Sequence, residues 1–598
     1  MTWVVGLGGA LAALGPVLGA TAMLNLDLVL LPHAPVPAGV WGLGTELPRR
    51  TPLLLPLAWA DSTIGSVTAG KILIVLCLAT AFVGAARLCR APLPWTLAAG
   101  VLYAWSPFAM TRLAVGHLFV LAAMAALPWS LPRLLDPHRD RGLTFLAALL
   151  LALTGVLGGI FAVAAVLVGC VGRPARAAIR TLGVVVVAQL PWLGPGLVVA
   201  ARGVEGAPAA GFATDLGGAG GPLRILAGQG FWQRHFQVGG EAGWWLPAVA
   251  LLLLALAVLG HGLLPEWRNR AAALATFGGA LVLVSGWSVT EGLYGWMTRM
   301  PGGAALREGQ RMLPLVLVWL APAAAQGAIA LARRRPSLPG AEAVTLVLAM
   351  LLCLPGLWGA GDQLRPATVP EGWVAARSIV HAQPGPVLAL PWFQYLDLAN
   401  AGGQRVLNPL PLWLGGDVLS SSNPRLPGGS GPERNDPREV RATALASASL
   451  RGDAIGPGLA DLGVRWVVVL LDGDLLRGRP VGEIQDEALA EDPSLDEVYR
   501  DGSVAVYAVK DWKDDRIESV ASPWLRSPST RAVELNRPWA PGWLRGTTAA
   551  FASPNGRISV NRGDRPIWYW PAGLVLLGYF VTMIITVIVI WRHWRASH

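Results

Sequence analysis

A single carboxylate, Asp27, follows the first apolar run of the chain (3–22) by a few residues, at the start of "MLNLDLVLLPHAPVPAGVWGLGTELPRR" (23–50). A carboxylate within hydrogen-bond reach of a hydroxyl can take its proton as a general base. Just past an apolar span it must be solvated or paired, because an ion is costly there. Asp61, in "WADSTIG" (59–65), is the rival acid, and Glu46 is the third. Positive charge that could face a phosphate comes from Arg307 and Arg311, whose i, i+4 spacing puts both on one face of a helix, with Glu308 and Gln310 breaking the patch on other faces. Guanidinium forks bind phosphate oxygens bidentately. Arg112 with His117, and Arg49 with Arg50, are further candidates. His235 stands among Phe231, Trp232 and Phe236 in "GFWQRHFQ" (230–237), a group suited to stacking on a sugar ring. Each of these residues also has a structural use. Asp27 can cap a short interfacial helix, and Asp61 stands before Ser62 and Thr63, where an N-cap is natural. The arginine pair can snorkel, and aromatic residues form belts at membrane surfaces.

The elements that must position these residues follow from composition. The 598 residues are 54% hydrophobic and only 14% charged, with a mean hydropathy of +0.50. Soluble proteins carry about 25% charged residues, so this is the composition of a polytopic membrane protein. The net charge of +10 lies mostly in short arginine-rich loops and in the second half of the chain, which fits topology and anionic lipid. No nucleic-acid partner is expected. Cys77, Cys89, Cys170 and Cys353 lie in or beside apolar segments without CxxC or metal spacing, so they read as small core residues. P-loop, GxSxG and HExxH signatures are absent.

A spanning helix needs about 20 apolar residues. Segments are expected at 3–22, 70–88, 94–111, 117–134, 178–200, 244–260, 271–290, 312–332, 342–358 and 567–591. The run 143–172 is too long for one helix and carries "TGVLGG" (154–159), whose glycines weaken it, so it reads as two short helices. That makes about twelve segments in all. The loops 87–92, 136–142, 173–180, 265–270 and 333–337 and the tail 591–598 are arginine-rich, and the positive-inside rule places them in the cytoplasm with both termini. Alternation then requires 143–172 to cross twice. The first segment lacks a charged n-region, so it is expected to be a retained helix.

Outside are 23–69, 201–243, 291–311 and the long stretch 359–566, large enough to bury its own core. The expected division is therefore a membrane domain 1–358, an extracytoplasmic domain 359–566, and a last helix with its cytoplasmic tail, 567–598. Strands are legible at 386–392 and 464–471, and at 495–509, where Asp501-Gly502 signals a hairpin. Helical stretches lie between them, which predicts an α/β domain. The Gly/Pro/Ser-rich stretch 419–437 reads as a loop, and so does "NRPWAPGW" (536–543), with its two prolines.

Four stretches carry a resemblance: the acidic loop after the first helix, "YAWSPFAMTRLAVGH" (103–117), "LREGQRMLPL" (306–315) and "NRPWAPGW". With the overall layout, they make the chain similar to the GT-C membrane glycosyltransferases, in particular the actinobacterial arabinofuranosyl- and mannosyltransferases and the YfhO-type membrane proteins. The resemblance implies a polyprenyl-phosphate sugar donor, a cell-envelope polysaccharide or lipid-linked glycan as acceptor, and a carboxylate of the first outer loop as base. Asp27 matches that position, with Asp61 as the rival. The leaving phosphate would then meet Arg307 and Arg311, or Arg112, His117 and Arg49, while Trp232 and His235 would face the acceptor or its sugar. The loop lacks the family's paired Asp-x-Asp, which weighs against metal dependence; no cofactor is indicated, and a divalent metal stays open. The location implied is the plasma (inner) membrane. The alternative is a non-enzymatic lipid-linked glycan transporter or an envelope-assembly scaffold. A transporter would usually show inverted repeats and polar broken helices at the midplane, and here the interrupted run 143–172 holds no charge.

Overall fold

The computed structural model describes residues 1–33, 51–200, 209–217, 221–240, 243–300, 303–334, 341–424, 437–476, 478–512, 524–525, 533–538, 542–552, 557–560 and 567–597. Glu46, Arg49 and Arg50 lie outside these residues, as do Trp539 and most of the expected loop 419–437.

The apolar runs form helices: α1 (Thr2–Leu14), α2 (Thr51–Ile64), α3 (Ser66–Cys89), α4 (Leu93–Ala104), α5 (Pro107–Ala114), α6 (Leu118–Leu135), α7 (Arg141–Ala152), α8 (Val156–Cys170), α9 (Ala175–Ala188) and α10 (Leu190–Ala200). The turn α11 (Leu223–Leu226) precedes α12 (Trp245–Gly260), α13 (Arg268–Val284), α14 (Glu291–Arg299), α15 (Leu313–Arg334) and α16 (Ala341–Cys353). The run 143–172 is indeed two helices. Gly155 takes φ 91° between α7 and α8, a conformation that suits glycine. The expected single segment 94–111 is instead broken. Pro107 cannot donate to a continuing helix, and Ser106 starts a new one by accepting a hydrogen bond from the Ala109 amide at 3.3 Å. The segment 178–200 likewise divides, at Gln189.

Among the described residues, five helices are long and apolar enough to span a membrane: Ser66–Cys89, Leu118–Leu135, Trp245–Leu263, Gly309–Arg334 and Trp570–Arg595. The pair α13–α14, bent by 90°, makes a sixth if counted as one span, and five shorter apolar helices accompany them. The larger number expected from sequence thus depends on counting short helices as crossings. At the crossing of α12 and α15, Gly260 and Gly327 each abut the other helix's backbone, and neither has room for a Cβ. Small residues allow such close approach between apolar helices.

The arginine-rich loops meet at one end of this bundle. Arg270 donates to the Leu135 carbonyl at 2.6 Å, Arg173 lies 3.8 Å from Asp136, and His593 of the last helix pairs with Asp140 at 2.8 Å.

At the other end, β1 (Met23–Asn25) and β2 (Leu28–Leu30) form a hairpin with Leu26 and Asp27 at its tip. Leu26 has φ 46°, as a two-residue hairpin loop demands but a leucine seldom adopts. Both sides of the tip are fixed. The Asp27 amide donates to the Val115 carbonyl at 3.1 Å, and Asn25 Nδ2 donates to the Ala114 carbonyl at 2.6 Å. On the far side the Leu26 amide donates to the Arg405 carbonyl at 2.7 Å, and Leu407 donates back to Leu26 at 2.8 Å. Gly116, at φ 80°, lies against the Leu28 backbone where any side chain would collide.

After the irregular turn α17 (Gly359–Asp362), an α/β unit follows. Its strands are β3 (Val387–Leu390), β4 (Tyr395–Leu398), β5 (Gln404–Leu407), β6 (Val418–Leu419), β7 (Trp466–Leu470), the short pair β8 (Leu475–Leu476) and β9 (Arg479–Pro480), β10 (Leu495–Arg500) and β11 (Val504–Val509). A mixed sheet runs β10-β11-β7-β3-β6, parallel at β6-β3-β7 and antiparallel beyond. Successive residues face opposite sides of a strand. Val387, Ala389, Trp466 and Val468 therefore pack on one side with α18 (Glu371–Ala382) and α19 (Leu410–Leu414). Leu388, Leu390, Val467 and Val469 pack on the other with α20 (Pro437–Ser449), α21 (Gly456–Leu462) and α22 (Val481–Ala490). The hairpin at Asp501-Gly502 joins β10 to β11.

Two small sheets precede α23 (Trp570–Ser597): β12 (Trp524–Leu525), β14 (Trp543–Arg545), β15 (Thr548–Ala549) and β18 (Ile567–Tyr569), then β13 (Val533–Pro538), β16 (Phe551–Ala552) and β17 (Arg557–Val560). The loop expected at "NRPWAPGW" is corrected at both ends. Its first residues end edge strand β13, where Pro538 closes the strand, and Trp543 opens β14.

Candidate functional site

Pieces expected on the outer side converge on Asp27. The hairpin tip supplies Asp27, the α5–α6 junction supplies Arg112 and His117, and the turns before α15 supply Glu308, Gln310 and Arg311. The 230–237 loop adds Phe231, and the α/β unit adds Tyr395.

Asp27 Oδ2 lies 3.1 Å from His117 Nε2, and Tyr395 donates its hydroxyl to Asp27 Oδ1 at 2.8 Å. Arg112 Nη1 lies 2.8 Å from His117 Nδ1. A guanidinium can only donate, so Nδ1 accepts and the imidazole proton is on Nε2, aimed at Asp27. Arg112 also donates to Glu308 Oε2 at 3.2 Å and to Gln310 Oε1 at 2.6 Å. Arg311 pairs with the other Glu308 oxygen. A continuous chain thus runs from Asp27 through His117, Arg112 and Glu308 to Arg311.

Burial sets the protonation states. Removal from water holds His117 at about 4, with the Asp27 bond opposing that shift, so the ring is neutral near pH 7. Burial alone would raise Glu308, but Arg311, Arg112 and Arg307 outweigh it and bring its carboxyl to about 2. Glu308 is therefore a buried anion between cations, as its hydrogen bonds require.

Aromatic rings wrap the chain of charges. The Arg112 guanidinium is 5.0 Å from the Phe108 ring centre and 4.9 Å from that of Phe231, Arg311 faces Phe119 at 5.1 Å, and Arg307 faces Phe212 at 4.6 Å. Phe231 is set by Gln237, whose side-chain oxygen accepts from the Gly230 and Phe231 amides at 2.7 and 2.8 Å. Thr111 of α5 then accepts from the Val238 amide at 3.0 Å, tying that loop to the membrane bundle.

The structure brings Asp27, His117, Arg112 and Arg311 together, with Arg307 beside them. It corrects the basis on which the arginines were paired. Residues 303–312 form two 3₁₀ turns interrupted at Arg307 and Glu308, so no helical face carries Arg307 and Arg311 together. Arg112 is fully buried; its Nη1 and Nη2 donate to His117, Glu308 and Gln310, while its Nε has no hydrogen-bond partner. Asp61 stands apart, where its side chain accepts from the Ser66 amide at 2.8 Å and caps α3. Trp232 packs edge-on to Phe212 and beside Phe231, next to the network. His235 is exposed, against Phe236. Glu308, Gln310 and Tyr395 were not singled out from the sequence. The first two looked like interruptions of an arginine patch, and nothing local marks Tyr395. Among the described residues no three His, Cys, Asp or Glu side chains group to hold a metal ion.

No protein-family model matches the chain, and no curated protein is similar to it in sequence. Two solved structures share its fold. The cryo-EM structure of the arabinofuranosyltransferase AftD from Mycobacteria matches with a TM-score of 0.55 at 17% identity, over 85% of this chain and 39% of that one. A mutant of the same mycobacterial enzyme matches with a TM-score of 0.52 at 16% identity, over 85% of this chain and 41% of that one. The chain shares its fold with these arabinofuranosyltransferase structures and spans about 40% of their length.

Proposed function

We propose that this chain is a membrane glycosyltransferase that moves a sugar, an arabinofuranose by analogy of fold, from a polyprenyl phosphate to an envelope glycan at the outer face of the plasma membrane. The observation that carries this reading is the continuous chain of side chains from Asp27 to Arg311. In it a carboxylate and arginines stand close together at the bundle end away from the arginine-rich loops. A lipid-held donor and a water-borne acceptor can meet only at such a boundary.

In the reaction, an acceptor hydroxyl oxygen forms a bond to the anomeric carbon as the carbon–oxygen bond to the phosphate breaks. Asp27 takes the hydroxyl proton, and the phosphate leaves with the bonding electron pair. Arg311 and Arg307 offset the charge gathered on its oxygens, a stabilisation that is largest where water is excluded. Phe212, Phe231 and Trp232 supply the aromatic wall. Among the described residues no group of His, Cys, Asp or Glu that could hold a metal ion forms around Asp27, and no step is assigned to one.

The test is single-turnover transfer by the purified full chain in nanodiscs, with polyprenyl-phosphate arabinofuranose as donor and an arabinan oligosaccharide as acceptor. Asp27→Asn keeps the size of the side chain but cannot take the proton, so its rate should fall by about 10²–10⁴ with donor binding retained. Asp61→Asn should cost little. Full activity in Asp27→Asn would remove Asp27 from the chemistry. Donor binding without transfer by the wild type would point to the non-enzymatic glycan carrier or scaffold.

A further inference from the structure

The reading of Asp27 as the base explains its bond to His117 but leaves Tyr395 unused. We infer that Tyr395 is a positioning residue for that base, so that the α/β unit supplies part of the active site; this rests on the function proposed above. Each Asp27 oxygen accepts from a side chain, and the two donors come from different parts of the molecule. Oδ2 is held by His117, whose proton Arg112 directs to it. Oδ1 is held by the Tyr395 hydroxyl at 2.8 Å.

The placement of that hydroxyl is over-determined. Tyr395 opens β4, which pairs with β5 in the register Tyr395↔Leu407. Leu407 and Arg405 of β5 are the residues that bond the Leu26 backbone, next to Asp27 itself. One hairpin therefore fixes both the backbone of the base and the donor to its carboxylate. The Tyr395 ring packs with Leu26, Val115, Phe231 and Phe236, so its position does not depend on the hydroxyl. A carboxylate held through both oxygens keeps one orientation toward the acceptor. Positioning of this kind contributes to rate without adding a contact to substrate.

The hydroxyl also acts on charge. A donor to the ionised form favours that form, so removing it should move the acid limb of the rate profile to higher pH. The charged and titratable groups packed around Asp27 are His117 and Arg112, Glu308 and Arg311 beyond them, and Tyr395 and Arg405 of the hairpin. Tyr395→Phe alters none of the others.

The experiment compares wild type, Tyr395→Phe, Tyr395→Leu and Asp27→Asn in the nanodisc assay with polyprenyl-phosphate arabinofuranose. In Tyr395→Phe, kcat should fall about ten- to a hundredfold, the range of one hydrogen bond to a charged group. The donor KM and the melting temperature should hold, and the acid limb should rise in pH. Tyr395→Leu should lose stability as well. If Tyr395→Phe fails to accumulate, 3-fluorotyrosine at this position keeps the ring and makes the hydroxyl a stronger donor, and the acid limb should then move down. Wild-type kcat and pH profile in Tyr395→Phe, or an unmoved limb with fluorotyrosine, alongside an inactive Asp27→Asn, would overturn this inference and leave the base in place. An active Asp27→Asn would overturn both.

Discussion

Glu308 accepts from Arg112 with one oxygen and from Arg311 with the other, and it is 4% exposed where Arg112 is not exposed at all. Removing one partner of a buried ion pair typically costs about 3–5 kcal/mol, because the other charge is left without compensation. Glu308→Gln should therefore destabilise the protein clearly in a thermal melt, and Arg311→Gln less so, since Arg311 keeps partial contact with solvent. Equal melts for Glu308→Gln and wild type would show that the carboxylate does not hold the network. The sequence displayed Asp27, Arg112 and His117 as candidates because polar residues at the end of apolar runs are conspicuous. It hid Glu308, because spacing assigns a face only if the backbone is helical. Here the backbone turns as 3₁₀ at 303–306 and 309–312, and the acid that seemed to spoil the patch holds it together. Tyr395 was illegible for a different reason: its partner is 368 residues away.

At the scale of elements, α14 shows what a hydropathy plot cannot separate. Together with α13 it passes as one apolar span, yet the two cross at 90°. Tyr294 points inward and donates to the Leu306 carbonyl at 2.8 Å, while Val289, Leu293 and Trp296 are exposed. An amphipathic helix of this kind lies along a membrane surface, beside the turns that carry Arg307 and Arg311. Spin labels on Val289→Cys and Trp296→Cys should then report the same shallow depth. Labels on Leu251→Cys and Val258→Cys of α12, the same number of residues apart, should differ by roughly 10 Å at 1.5 Å per residue. A depth difference of that size between Val289, in the turn before α14, and Trp296 would make this segment part of a straight crossing. The native cysteines are buried and do not compete for label. Elements marked by a continuous apolar run or a turn signal were legible: the strands at 387–390 and 466–470, the hairpin strands within 495–509, and the glycine break in 143–172. Those decided by one proline, as at Pro107 and Pro538, were read less well, because a proline ends an element without saying whether another begins at once.

For the whole molecule, the two ends of the bundle differ in chemistry. One gathers the arginine-rich loops around Arg270, Asp140 and His593, and the other gathers the network around Asp27. Reporter fusions at Arg139 and Arg334 should therefore read cytoplasmic, and a fusion at Ser430 external. A cytoplasmic signal at Ser430 would put Asp27 on the wrong side for an envelope acceptor. The hairpin that carries Asp27 has a consequence for how the protein is made. Its bonds to Ala114 and Val115 can form while synthesis is under way, but those to Arg405, Leu407 and Tyr395 wait for a much later stretch of chain. At roughly 5–20 residues per second the delay is roughly 15–60 s. During it the membrane helices can insert and pack, while the tip of the hairpin has a partner on one side only. A nascent or truncated chain that stops before β4 would thus hold its carboxylate in the membrane bundle unclamped. Asp27 leaves the ribosome long before the strand that fixes it in place.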